Sequence, residues 1–119
     1  MKIGSTILIV EDEEIHRLIL KHILESRGFK VLEAVNGAAG LKIMRTSKVD
    51  LTIVDLEMPV MNGIEFTKWV KRLNPSFPVI IVTAHAADFP PQDIIAANVE
   101  ALIPKPVVAE ELLNIIRDI

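Results

Sequence analysis

Three stretches of the chain, Thr6 to Val10, Leu51 to Val54 and Val79 to Val82, are short and rich in β-branched residues, with apolar side chains following one another without alternation. A strand of that composition has no face for water and must lie in a sheet that is covered on both sides. The segments between these runs carry apolar residues at helical spacing and are long enough for crossover connections. Neighbouring strands are therefore parallel and their crossovers right-handed. These features confine the chain to the α/β class. Its 119 residues, half of them apolar, suit a single domain over residues 1–119 with one well-buried core.

In chain order, Thr6 to Val10 is followed at once by Glu11-Asp12-Glu13-Glu14 and then by a helical pattern to about Arg27, with Gly28 as its C-cap. Asp12 is placed to act as N-cap, and Glu13 and Glu14 to complement the helix dipole, which leaves Glu11 without a local role. The apolar positions Ile15, Leu18, Ile19, Leu20, Ile23 and Leu24 cover more of the circumference than one sheet-facing stripe needs. Ile15 and Leu18, at one edge of that stripe, are expected to stay exposed for a partner. His16 and His22 read as ordinary helix residues, because nothing around them completes a metal-ligand set.

Phe29 to Ala34 is the second strand, Ala38 to Thr46 the second helix after the Asn36-Gly37 turn, and Lys48 to Val54 the third strand. Asn62 caps a third helix through Leu73, whose buried face is expected to comprise Ile64, Phe66, Trp69 and Val70. After the fourth strand, Val79 to Val82, Pro90 and Pro91 open a short helix to about Asn98. Ala101 to Ile103 forms a fifth strand, and the last helix runs from about Ala109 to Ile119. The sum is (βα)5, a three-layer sandwich around a five-stranded parallel sheet.

Each buried strand of interest closes in a polar group at the same edge. Glu11 and Asp12 follow the first, Asp55 the third, Thr83 the fourth and Lys105 the fifth. In an open α/β sheet the ligand crevice lies outside the carboxyl ends of the strands, so these groups should converge there. Three carboxylates brought together repel one another unless some protonate or a cation holds them ionised. Magnesium suits so few protein carboxylates and completes its shell with water and phosphate oxygens, whereas calcium wants more protein oxygens than are offered. A metal, the Lys105 ammonium and the Thr83 hydroxyl together form a clamp for a transferring phosphoryl group, with Asp55 as an in-line nucleophile.

Glu11-Asp12 after the first strand, Asp55-Leu56-Glu57-Met58-Pro59 with Asn62-Gly63, Thr83-Ala84, and Lys105-Pro106 stand in an order and spacing that resemble a response-regulator receiver domain, the phospho-accepting module of two-component signalling. The resemblance spans essentially the whole chain and implies the flavodoxin-like strand order 2-1-3-4-5. It implies that a histidine kinase or phosphotransfer protein donates a phosphoryl group to Asp55, with Mg2+ (or Mn2+) bound by Glu11, Asp12, Asp55 and the backbone carbonyl of Glu57. Thr83 and Lys105 would then contact the phosphoryl group, and the Lys105-Pro106 bond would be cis. Two positions depart from the family's common pattern. Leu102 stands where an aromatic residue often lies three before the lysine, which removes an aromatic flip as the readout, and Glu11 stands where many members have Asp. Glu57 and His85, two residues after Asp55 and Thr83, are expected to tune the lifetime of the phosphoryl group.

A net charge of −3 with no basic run gives no footprint for nucleic acid or an anionic membrane. The first residues lead into only a short apolar run soon followed by acids, the pattern of neither a signal peptide nor a membrane span. With no cysteine, the chain suits a reducing, cytoplasmic setting. The role is that of a phosphoacceptor rather than an enzyme, acting on an effector domain or output protein that the sequence does not identify. The uncapped apolar period at Ile119 leans toward a receiver cut from a longer protein. Dimerisation of the phosphorylated form through the fourth and fifth helices stays open. Three other readings compete: a phosphorylation-independent interaction module, a small aspartyl-phosphate phosphatase, and a nucleotide or flavin binder. The intact acid set argues against the first, the lack of an inserted cap against the second, and the lack of a glycine-rich phosphate loop against the third.

Overall fold

The structure, a computed structural model, describes residues 1–119. Strands β1 (Thr6–Val10), β2 (Lys30–Ala34), β3 (Leu51–Asp55), β4 (Val79–Thr83) and β5 (Ala101–Pro104) form one parallel sheet in the order β2-β1-β3-β4-β5. Helices α1 (Glu14–Glu25), α2 (Gly37–Thr46), α3 (Gly63–Leu73), α4 (Pro91–Ala97) and α5 (Ala109–Arg117) cover its two faces. No helix is long and apolar enough to cross a membrane.

The non-alternating strand composition is used as two interleaved cores. Ile7 and Ile9 of β1, Leu51 and Ile53 of β3, and Ile80 and Val82 of β4 pack with Leu20, Leu24, Leu112 and Ile116 of α1 and α5. The residues between them, Leu8, Val10, Val54, Val79 and Ile81, pack instead with Leu41, Phe66, Val70 and Ala97 of α2, α3 and α4. Because successive side chains of a strand point to opposite faces, one apolar run serves both layers.

Several local expectations are corrected. Asp12 is not the N-cap of α1. Glu13 occupies that position without any side-chain cap, and the Glu13 amide donates to Glu11 Oε2 at 3.3 Å instead. Gly28 lies beyond the C-cap, Ser26; at φ 87° it turns the chain so that the Phe29 amide reaches back to the Leu24 carbonyl at 3.2 Å. The third strand begins at Leu51 rather than Lys48 and includes Asp55. Trp69 is not on the buried face of α3: it is 46% exposed, and Arg72 stacks 5.0 Å from its ring centre. The buried stripe runs through Gly63, Ile64, Phe66, Thr67 and Val70, and Thr67 fits there because its hydroxyl donates to the Gly63 carbonyl at 2.7 Å. The Asn62 cap is as expected, reinforced by the Asn62 amide donating in return to Glu65 Oε1 at 3.2 Å.

Candidate functional site

Strand register delivers the polar strand ends to one place. Val10 pairs with Val54, so Glu11 leaves β1 beside Asp55. Asp55 pairs with Val82, so Thr83 follows one step beyond it. Parity then sorts the side chains. Asp55 continues the series Leu51, Ile53 on the α1/α5 side, and Thr83 continues Val79, Ile81 on the other.

Lys105 ties the first group together. Its ammonium donates to Glu11 Oε1 at 2.7 Å and to Asp55 Oδ2 at 2.9 Å, and lies 3.1 Å from His16 Nδ1. Its own amide donates to the Thr83 carbonyl at 2.8 Å, and the Lys105-Pro106 bond is cis. The Glu11 side chain is fully buried and that of Asp55 nearly so. Burial, with the neighbouring Asp55 adding to it and Lys105 opposing it, pushes the Glu11 carboxyl up to about 7. For Lys105 burial acts downward, but the hydrogen bonds to Glu11 and Asp55 outweigh it and hold the ammonium above its ordinary value.

Carboxylate oxygens of Glu11, Asp12 and Asp55 lie within 4.8 Å of one another. Asp12 is exposed at the mouth while the other two are buried. One ammonium cannot balance three carboxylates, and the donors are all hard oxygens, so the set fits a small divalent cation. The adjoining cavity, about 210 Å3, is lined by Asp12, Asp55, Lys105 and Thr83, with Glu57 and His85 at its rim.

The loop after β3 is folded back onto Asp55. The Glu57 amide donates to Asp55 Oδ1 at 3.1 Å. The Gly63 amide bonds the Leu56 carbonyl at 2.9 Å, and a Cβ on Gly63 would stand only 2.6 Å from the Asp55 carbonyl oxygen, so this close approach requires glycine. Between them Val60 takes φ 71°, with the Met61 amide bonding back to the Pro59 carbonyl at 2.8 Å. A β-branched residue is strained there. Thr83 is buried, and its Oγ1 accepts from the His85 amide at 2.9 Å. At the rim, His85 Nδ1 and Glu57 Oε1 meet at 2.8 Å, both side chains well exposed. Leu102 is half-buried against the α2/α3/α4 core.

His22 is exposed, as an ordinary helix residue should be, but His16 is not ordinary: besides Lys105, its Nδ1 lies 3.5 Å from Glu11 Oε1. Its spacing was the available signal, since His16, Leu20 and Leu24 repeat at four residues along the face that α1 buries. Arg17 is a second unforeseen member, donating to the Glu11 carbonyl at 2.9 Å and to Glu33 of β2 at 3.3 Å. Ile15, Leu18 and Ile19 are 71%, 52% and 49% exposed, so the surplus of the α1 stripe does face solvent.

Residues 7–117 match the family model of the response regulator receiver domain. The chain is 31% identical over 115 residues to the polar-differentiation response regulator DivK of Brucella anthropi, covering 95% of this chain and 94% of that protein. It is 37% identical over 107 residues to a cyclic di-GMP phosphodiesterase of Thermotoga maritima, covering 90% of this chain but 28% of that protein. Among solved structures, the response regulator TrrA of Thermotoga maritima in complex with Mg(2+)-BeF superposes with a TM-score of 0.87 at 28% identity, covering 96% of this chain and 97% of that one.

Proposed function

The chain belongs to the response regulator receiver domain family, and from that premise we propose that Asp55 accepts a phosphoryl group from a histidine kinase or phosphotransfer protein and that the phosphorylated form switches protein–protein interactions. The observation that carries this reading is the placement of a buried strand-end carboxylate within 2.9 Å of a buried ammonium, beside two further carboxylates that call for a divalent cation.

Glu11, Asp12 and Asp55, with the backbone carbonyl of Glu57, would hold Mg2+ (or Mn2+). Such a cation supplies charge neutralisation for the phosphoryl oxygens. One carboxylate oxygen of Asp55 attacks phosphorus in line. The new O–P bond forms as the bond to the leaving atom breaks, an imidazole nitrogen for a phosphohistidine donor or a carboxylate oxygen for acetyl phosphate. Lys105 holds the negative charge that arrives, about −1.5 to −2 on a phosphoryl group. Thr83 has to release the His85 amide to turn its hydroxyl toward a phosphoryl oxygen, which would move the loop after β4. An equilibrium driven from 1:99 to 99:1 by that contact set needs about 5.5 kcal/mol of preference for the switched form.

With Leu102 in place of an aromatic residue, the change is read through the β4–α4 loop, without a ring flip, by an effector domain or output protein; contact between two phosphorylated copies through α4 and α5 is a second route to the same end. The net charge, −3, keeps direct nucleic-acid binding out of this reading. Ile15 and Leu18 beside the site are the proposed docking contacts for the phosphodonor. A folded Ile15→Ala/Leu18→Ala variant that a kinase still phosphorylates at the wild-type rate would remove them from it.

The deciding experiment is the intact mass of the protein after acetyl phosphate, with and without magnesium, beside Asp55→Asn. Gain of one phosphoryl group that requires both magnesium and Asp55 is expected. No gain under any condition by the folded protein would favour a phosphorylation-independent module, and steady release of phosphate from a small ester would favour a phosphatase.

A further inference from the structure

We propose that His16 is a positioning residue for Lys105, fixing its ammonium at the phosphoacceptor through a hydrogen bond from Nζ to Nδ1; the proposal rests on the phosphoacceptor reading above. An ammonium offers three protons and no acceptor, and Lys105 has three partners within reach: Glu11 Oε1 at 2.7 Å, Asp55 Oδ2 at 2.9 Å and His16 Nδ1 at 3.1 Å. For the third bond to form, Nδ1 presents its lone pair and the ring proton resides on Nε2.

The three partners fare differently in the proposed chemistry. Glu11 is required by a cation, and Asp55 becomes an ester-like acyl phosphate. His16 takes part in neither event. It is therefore the one anchor of Lys105 that persists from the resting to the phosphorylated form, and the tautomer that accepts on Nδ1 brings no negative charge to the repulsion among the carboxylates.

Packing keeps this anchor in place. His16, its side chain 39% exposed, precedes the buried Leu20 and Leu24 at four-residue spacing along α1, and it lines both the acidic pocket and a second cavity of about 210 Å3 walled by Ile19, Leu20, Val82, Pro106 and Val107. Lys105 lines both cavities, and its side chain is only 12% exposed. Without an acceptor at position 16, the third proton of the ammonium would face that apolar wall, and Lys105 would settle further onto Glu11.

The test compares His16→Leu, which keeps apolar bulk without an acceptor, with His16→Gln, which keeps an acceptor, after thermal unfolding shows both to be folded; His16→Met replaces the leucine variant should that one fail to fold. With acetyl phosphate at saturating magnesium, His16→Leu is expected to lower the phosphorylation rate about threefold to tenfold, the effect of losing one charge-assisted hydrogen bond at a partly exposed site. His16→Gln is expected to recover most of it, with the magnesium dependence of the rate little changed in either. Independently of activity, nitrogen-15 NMR of the metal-free protein should show one slowly exchanging lysine ammonium signal in the wild type and His16→Gln that is lost in His16→Leu. An unchanged rate, an unchanged ammonium signal, no such signal in the wild type, or a loss confined to magnesium affinity would each overturn the proposal. If the wild type takes up no phosphoryl group, the phosphoacceptor reading fails by itself, and the ammonium signal alone then decides the His16 contact.

Discussion

Two clusters of acids and bases share the crevice at the carboxyl edge of the sheet, and their contacts are of the same length. Lys105 meets Glu11 and Asp55 at 2.7 and 2.9 Å; His85 meets Glu57 at 2.8 Å, with Asp88 nearby. The first cluster has been taken out of water and the second has not. Coulombic attraction at one distance is worth little in a high dielectric, where it is screened and opposed by side-chain entropy. Buried charges have already lost their hydration, so each depends on its partner. Contact length therefore says nothing about which contact matters, and burial decides it.

The largest expected effect sharpens this contrast. Lys105→Met leaves Glu11 and Asp55 facing each other without a counter-charge, and should destabilise the metal-free protein by about 3 kcal/mol at neutral pH in urea unfolding. Part of that loss should return on adding magnesium. A loss no larger than that of a rim variant would break the comparison.

Proton linkage provides the next test. The Glu11 carboxyl rises from an ordinary 4.5 to about 7, so between those values the unfolded chain has released a proton that the folded protein still holds. Stability of the metal-free protein should then fall as pH rises from about 4.5 to about 7, by roughly 3 kcal/mol at most. Glu11→Gln should flatten that slope, and unfolding in a chelating buffer at several pH values would show it. Lys105 acts in the opposite range: its raised value contributes stability below its ordinary 10.5 that is lost as pH climbs through the higher folded value.

Smaller effects belong to the rim. Val60 is 99% exposed at φ 71°, so Val60→Gly should relieve strain worth more than the added freedom of the unfolded chain and raise stability by about 1 kcal/mol. An equal or lower unfolding midpoint would show that the loop bears no such strain. Glu57→Ala and His85→Ala should each change stability by less than about 0.5 kcal/mol. Their expected effect is on the lifetime of the acyl phosphate, and a half-life equal to that of the wild type in both would remove them from the site's chemistry.

Most of the architecture is determined by the sequence alone, because its signals are local. Runs such as Leu51 to Val54 and Val79 to Val82 have no polar face, which by itself dictates a sheet covered on both sides, and the polar residue that ends each run marks the edge where a site must lie. The Asn62 cap and the glycine at 63 are equally local. What only the tertiary structure decided depends on neighbours distant in sequence. Register sets Glu11 against Asp55, and only then does burial act on the Glu11 carboxyl. The turn of α1 against β5 brings His16 to Lys105 across 89 residues of chain, and leaves Asp12 aimed at the acidic pocket rather than at the helix end. Trp69 misled for the same reason: periodicity identifies an apolar stripe, but where its edge meets solvent depends on how far α3 is rolled on the sheet. Periodicity is a property of one segment, whereas burial and electrostatic coupling are set by which other segments arrive beside it.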